Sequence, residues 1–146
     1  MPFSFINTVA SWMLKKRIHE IELFIKYPVD VQNEQLKKLL NTAKNTEFGK
    51  KYEFSSVDDY KTFSERVPSF TYEEFFPIIN KTIKGEQNIF WPEKIKWFAQ
   101  SSGTTNSKSK FLPVSSSSLD NCHFKGGKDM LCFYLNNNEN SNMFLG

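Results

Sequence analysis

The run Trp97-Phe98-Ala99-Gln100-Ser101-Ser102-Gly103-Thr104-Thr105-Asn106-Ser107-Lys108-Ser109-Lys110-Phe111-Leu112-Pro113 contains the residue types needed to hold phosphate. A glycine lets the backbone turn its N–H groups toward one point with no Cβ in the way. The short hydroxyls of Ser101, Ser102, Thr104 and Thr105 around Gly103 add further donors. A lysine further along, Lys110 or its competitor Lys108, supplies a mobile positive charge that can reach the same anion. The competing reading is a solvated surface turn, because Ser, Thr and Asn favour loops for their own local hydrogen bonds. The common nucleoside-triphosphatase loop is a poor match, since it requires a Gly-Lys-Ser/Thr ending after an earlier glycine.

Ser101-Ser102-Gly103-Thr104-Thr105, closed by Lys110 and Pro113, resembles the phosphate loop of the adenylate-forming ligases, the superfamily of acyl-CoA synthetases and luciferases. Within it the opening and closing residues are most similar to the auxin-responsive acyl acid amido synthetases and their bacterial relatives. Phe48-Gly49-Lys50-Lys51-Tyr52, Arg66-Val67-Pro68, Pro77-Ile78-Ile79, Lys84-Gly85-Glu86 and Trp91-Pro92-Glu93-Lys94-Ile95-Lys96-Trp97-Phe98 resemble that branch in order and spacing. Nearly the whole chain is covered. Asn106-Ser107-Lys108 departs from it, standing where many relatives carry glycine.

The resemblance implies ATP and Mg²⁺ as cofactors, and a substrate carboxylate that attacks the α-phosphorus to give an acyl-adenylate and pyrophosphate. An amine, typically of an amino acid, then captures the acyl group as an amide; relatives that use coenzyme A form a thioester. By the same resemblance Ser101, Ser102, Gly103, Thr104 and Thr105 hold the β- and γ-phosphates, and Lys110 is the catalytic residue that neutralises the departing pyrophosphate. His123, Phe124 and Gly127 are implied as wall of the acyl pocket, though His123 could equally be a satisfied buried histidine. Such chemistry needs positioned donors and charge rather than a protein nucleophile. His19 and His123 accordingly have no obvious base-and-orienter setting.

Enzymes of that kind have a large mixed-sheet domain and a smaller C-terminal domain. They are several times longer than these 146 residues, which suffice for one compact domain. The expectation is therefore a single, incomplete N-terminal portion of the large adenylating domain, inactive by itself. Its apolar close at Met143-Phe144-Leu145 reads as a strand without a partner. The fold class expected is α/β, α+β within this stretch: helix-rich, with a few strands flanking the loop. A non-catalytic helical interaction domain and a different ATP-using enzyme are the alternatives.

The net charge of +3 is small and the two signs alternate, which argues against a nucleic-acid partner. The many phenylalanines read as core packing rather than base-stacking platforms. Cys122 and Cys132 have neither metal-ligand nor disulfide-framework spacing and read as reduced thiols in a cytoplasmic protein; no metal site is expected. No apolar run approaches membrane-spanning length, and the N-terminus has the reverse order of a secretory signal.

Several elements must position the loop. Phe5, Val9, Trp12, Met13, Leu14, Ile18, Ile21 and Ile25 mark a long first helix stopped at Tyr27-Pro28, core-facing rather than membrane-bound. His19 on it reads as solvated or packed. A second helix is predicted over 31–44 from Leu36, Leu39, Leu40 and Ala43, with Gly49 ending that region. Ser56 with Asp59, and Thr71 with Glu74, signal two helix starts; Pro68 closes the first. Pro77 suits the first turn of a further helix that Gly85 terminates. Residues 89–91 and 95–99 are predicted strands divided by Pro92-Glu93, and the loop falls between the second and a last helix capped from Ser115–Ser118. That helix is read with a stripe of Leu119, Cys122, Met130, Phe133 and Tyr134. Its Gly126-Gly127 pair, at roughly 1 kcal/mol each, calls for tight helix–sheet packing or a ligand close by.

Overall fold

The computed structural model describes residues 2–101 and 109–138. In order they form α1 (Pro2–Lys26), α2 (Pro28–Ala43), α3 (Glu47–Lys51), a 3₁₀ turn (Phe54–Ser56), α4 (Tyr60–Arg66), α5 (Tyr72–Ile83), β1 (Trp97–Gln100), β2 (Phe111–Val114), α6 (Ser116–Ser118), a π-helical turn (Leu119–His123) and α7 (Phe124–Asn137). The class is α+β, helix-rich with one two-stranded antiparallel sheet among the described residues. Among the same residues no helix is long and apolar enough to cross a membrane. Met143, Phe144 and Leu145 lie outside the described residues.

The chain divides into two compact units. The first comprises Met1–Val31 and Leu119–Gly146, the second Gln32–Ser118.

In the first unit α7 packs on α1 through Ile21, Cys132 and Leu135, all buried. Arg17 lies in the same seam and forks onto Asp129, Nε to Oδ1 at 2.8 Å and Nη2 to Oδ2 at 3.2 Å. Burial pushes the Cys132 thiol above its ordinary value, so it stays protonated and inert.

This seam overturns the stripe expected for the last helix. Met130, Phe133 and Tyr134 are exposed, and the inward face is Asp129, Cys132 and Leu135. The π turn shifts the register of Leu119 and Cys122 against α7, and the ion-paired Asp129 hides the true face from a hydrophobic count. Among the described apolar side chains of α1, Ile18 and Ile21 turn inward, whereas Val9, Trp12 and Ile25 are exposed. The 14 residues of α7 span only part of a 25-residue helix. Among the described residues a Cβ at Gly126 or Gly127 would meet nothing within 4 Å, so none of these packs tightly against the pair.

The second unit is built on Leu40, Ala43, Phe54 and Val57, with Leu36, Phe48, Tyr52, Phe63, Val67 and Trp91 packed around them. A ring network extends this core. Phe48 meets Phe75 edge-on at 5.7 Å, and Phe75 lies 5.5 Å from Phe70 and 6.3 Å from Phe90.

Helix boundaries follow local chemistry, with corrections. α2 begins at Pro28 rather than at residue 31, because proline is pre-organised for the first helical turn. Gly49 lies inside α3, where a Cβ would come within 2.1 Å of the Ala43 carbonyl oxygen; it permits a close approach instead of ending a helix. The cap of α4 is Asp59, which accepts from Thr62 N–H at 2.7 Å, whereas Ser56 accepts from Arg66 Nη1. Pro68 does follow the end of α4. The Thr71–Glu74 capping box forms as expected, and Gly85, at φ +98°, follows the last residue of α5 and its cap Lys84.

Pro77 sits within α5 rather than opening a new helix. The capping box, with the ring packing of Phe75 and the burial of Ile79 on either side of Pro77, holds the helix through its missing N–H.

Residues 89–91 are not a strand. Asn88 and Ile89 spend their carbonyls on the Glu47 and Phe48 N–H groups at 3.0 and 2.8 Å, leaving no ladder to join. The sheet pairs β1 with β2 instead, Phe98 opposite Pro113. Pro113, which closes the loop motif, lies inside β2; in a two-stranded sheet both strands are edges and tolerate proline.

Gly49→Ala is expected to cost about 3 kcal/mol, because backbone rather than a flexible side chain must move. Gly126→Ala, in open space within a helix, should instead stabilise by about 0.5–1 kcal/mol. Urea-unfolding midpoints that move in opposite directions bear this out; a tolerated Gly49→Ala contradicts it.

Candidate functional site

The two ends of the loop run, Trp97–Gln100 and Phe111–Val114, pair as antiparallel strands, so a second strand stands between the loop and the last helix. Of the expected phosphate ligands, Ser102, Gly103, Thr104 and Thr105, and with them Lys108, lie outside the described residues. Ser101 and Lys110 are described, and they face each other across the neck. Ser101 N–H donates to the Lys110 carbonyl at 3.0 Å, and Lys110 N–H donates to Ser101 Oγ at 3.2 Å. The Ser101 side chain thereby takes a backbone partner's place, while its own O–H remains a donor for an incoming group.

Tyr72 joins them from the first turn of α5. Its hydroxyl accepts the Phe111 N–H at 2.9 Å and lies 3.4 Å from the Phe111 carbonyl, while Lys110 Nζ stands over its ring at 5.1 Å from the centroid. Among the described residues no carboxylate is paired with the Lys110 ammonium. Sequence reasoning missed Tyr72. Its only local signal is that it follows the capping Thr71, which marks a helix start and says nothing of a residue 39 positions away.

The exit from β2 is held from the other side. Ser115 is buried and caps the next turn, accepting from Ser118 N–H at 3.0 Å, as expected of this serine run. Glu93 Oε2 accepts Ser117 N–H at 3.0 Å, and Trp91 Nε1 donates to Ser117 Oγ at 3.0 Å. The Ser117 backbone N–H holds the Glu93 carboxyl below its ordinary range.

His123, Phe124 and Gly127, the expected acyl-pocket residues, are all exposed in the first unit, with the His123 ring edge-on to Phe124 at 5.3 Å. A cleft of about 390 Å³ in the second unit has a different lining: Lys44, Asn45, Gly49, Lys50, Glu53, Ser55 and Ser56. Among the described residues no group of His, Cys, Asp and Glu is arranged to hold a metal ion. The donor set at the hairpin neck, one ammonium and one hydroxyl, suits an anion. A divalent cation there would have to arrive already held by phosphate oxygens.

A family model described as the GH3 family N-terminal domain matches residues 17–144. The chain belongs to the GH3 family. This GH3 chain is 34% identical over 106 residues to an indole-3-acetic acid-amido synthetase of Arabidopsis thaliana, covering 72% of the chain and 19% of the relative. It is 33% identical over 100 residues to a jasmonoyl–L-amino acid synthetase of Nicotiana attenuata, covering 68% and 17%. A jasmonoyl–L-amino acid synthetase of Oryza sativa subsp. japonica is 25% identical over 107 residues, 73% and 18%. Aligned with these, the GH3 chain spans less than a fifth of each relative's length.

The depressed Glu93 pKa sets a sign for acid sensitivity. Its contribution to stability is complete above the ordinary value of 4.5 and is lost as pH falls through the lower folded-state value. Thermal midpoints taken from about pH 6 to about pH 3 should fall less steeply in Glu93→Gln than in the wild type. Parallel profiles would remove Glu93 from the β2 anchorage.

Proposed function

We propose that this GH3 chain carries the phosphate-gripping element of an ATP-dependent acyl acid amido synthetase. The substrates on this reading are a small carboxylic acid, of the kind named in the indole-3-acetic and jasmonoyl relatives, and an amino acid. The observation that carries the reading is the hairpin neck. Ser101 and Lys110, nine positions apart, are hydrogen-bonded to each other, and a lysine with no carboxylate partner among the described residues stands beside a hydroxyl donor.

The chemistry follows from charge. A carboxylate and a triphosphate repel, so the approach of the acid to the α-phosphorus requires the phosphate tail to be neutralised and held still. Ser101, Ser102, Thr104, Thr105 and the backbone at Gly103 bind the β- and γ-phosphates; Lys110 balances the charge that builds on pyrophosphate as it leaves. Mg²⁺ arriving with the nucleotide would add further neutralisation. The acyl-adenylate is then opened by the amine, giving the amide and AMP. His123, Phe124 and Gly127 are the proposed acyl-pocket wall, and their exposure leaves them accessible to a ligand. The thiols Cys122 and Cys132 fit a cytoplasmic setting. As the N-terminal part of the large domain, this chain would not complete the reaction alone.

The test is acid-dependent exchange of labelled pyrophosphate into ATP by the complete protein, across a panel of carboxylic acids. Exchange with at least one acid is expected, and Lys110→Ala should lower it about 10²-fold with an unchanged unfolding midpoint. Release of ADP would point to another ATP-using enzyme, and no nucleotide chemistry at all to a binding domain. Undiminished exchange in Lys110→Ala would remove Lys110 from the mechanism.

A further inference from the structure

The function proposed above uses Ser101 and Lys110 but leaves unexplained why a tyrosine from α5 reaches the same place. Tyr72 touches the hairpin in two chemically different ways. Its hydroxyl takes the Phe111 N–H at 2.9 Å, with the Phe111 carbonyl at 3.4 Å, so the first residue of β2 is held on an outward-facing backbone pair. Its ring carries the Lys110 ammonium 5.1 Å from the centroid. The two contacts fall on adjacent residues, one at the end of the loop run and one at the start of the strand.

The tyrosine is itself held firmly. It is the first helical residue after Thr71, whose hydroxyl accepts Glu74 N–H while Glu74 Oε2 accepts Thr71 N–H at 2.8 Å. Phe75, one turn on, is fixed in the ring network with Phe48, Phe70 and Phe90. The rotamer of Lys110 is consequently biased by a group anchored in the core. A half-exposed cation–π contact is weaker than charge-assisted hydrogen bonds to phosphate, so an arriving phosphate outcompetes the ring and Lys110 transfers to it.

We propose that Tyr72 is a positioning residue for this site. It pins the neck of the hairpin by its hydroxyl and holds Lys110 on its ring until an inorganic or nucleotide phosphate takes the ammonium. The inference rests on the reading of Lys110 as a phosphate ligand.

The test uses the full chain and magnesium pyrophosphate as the probe. In the wild type the Lys110 side-chain methylene resonances should lie upfield, shifted by the Tyr72 ring current, and should return to ordinary positions as pyrophosphate saturates. Tyr72→Phe should raise the pyrophosphate dissociation constant about three- to tenfold, the scale of one hydrogen bond, and speed exchange of the Phe111 amide by a similar factor. Tyr72→Leu, which also removes the ring, should abolish the upfield shift. The effects of Tyr72→Phe and Lys110→Met should be non-additive, which a purely structural role at unchanged unfolding midpoint would not produce.

Faster Phe111 exchange with unaltered pyrophosphate affinity would make Tyr72 a fold contact only and overturn the proposal, while the phosphate reading stood. Equal affinity of the wild type and Lys110→Met would overturn the phosphate reading, and this proposal with it. The wild-type shift measurement needs no variant to fold; Lys110 resonances at ordinary positions, or unmoved by saturating pyrophosphate, would contradict the role given to the ring.

Discussion

The second unit depends on a completely buried threonine. Thr46 sits between α2 and α3, where its Oγ1 donates to the Ala43 carbonyl at 2.7 Å and accepts the Gly49 N–H at 2.9 Å. That pair of hydrogen bonds across the corner brings the two helices so close that only glycine fits at position 49. An unsatisfied hydroxyl in that place would cost on the order of 1–3 kcal/mol, so both partners are required rather than optional. The N–H groups of Glu47 and Phe48 then point outward from the corner and are met by the carbonyls of Asn88 and Ile89.

From this corner a path of contacts leads to the hairpin. Phe48, fixed at the start of α3, packs edge-on against Phe75, and Phe75 fixes α5. Tyr72, three residues earlier on that helix, receives the Phe111 N–H and carries Lys110 over its ring. On the opposite side Glu93 and Trp91 hold Ser117, beyond the end of β2. A hairpin of four residues per strand is too small to be stable by itself, and these side-chain attachments on and just beyond its outgoing strand supply what the ladder lacks. The site borrows its rigidity from the core through aromatic rings, because its described polar groups, Ser101, Lys110 and Tyr72, are each only half-buried.

Much of this was legible in the sequence, wherever the signal was local. The capping box at Thr71, the glycine after α5, the long first helix and the strand before the loop are each specified by a few neighbouring residues, and the loop motif pointed to the GH3 family. What was hidden depends on partners distant in the chain. Ile89 looks like strand until its carbonyl is found on Phe48. Phe111–Val114 looks like a loop exit until it pairs with Trp97–Gln100. Asp129 looks solvent-facing until Arg17 reaches it across 112 positions, and Tyr72 looks like a plain helix residue until Phe111 arrives. In each case a long-range hydrogen bond overrides the local preference, which a periodicity count has no means of seeing.

The most direct measurement is a crystal structure of the complete protein with magnesium and a non-hydrolysable ATP analogue. Lys110 Nζ should stand off the Tyr72 ring and about 2.8 Å from a β- or γ-phosphate oxygen, with Ser101 Oγ donating to the same group. Lys110 still resting on Tyr72 while the polyphosphate lies elsewhere, for instance in the cleft lined by Lys44 and Lys50, would contradict this role for the hairpin.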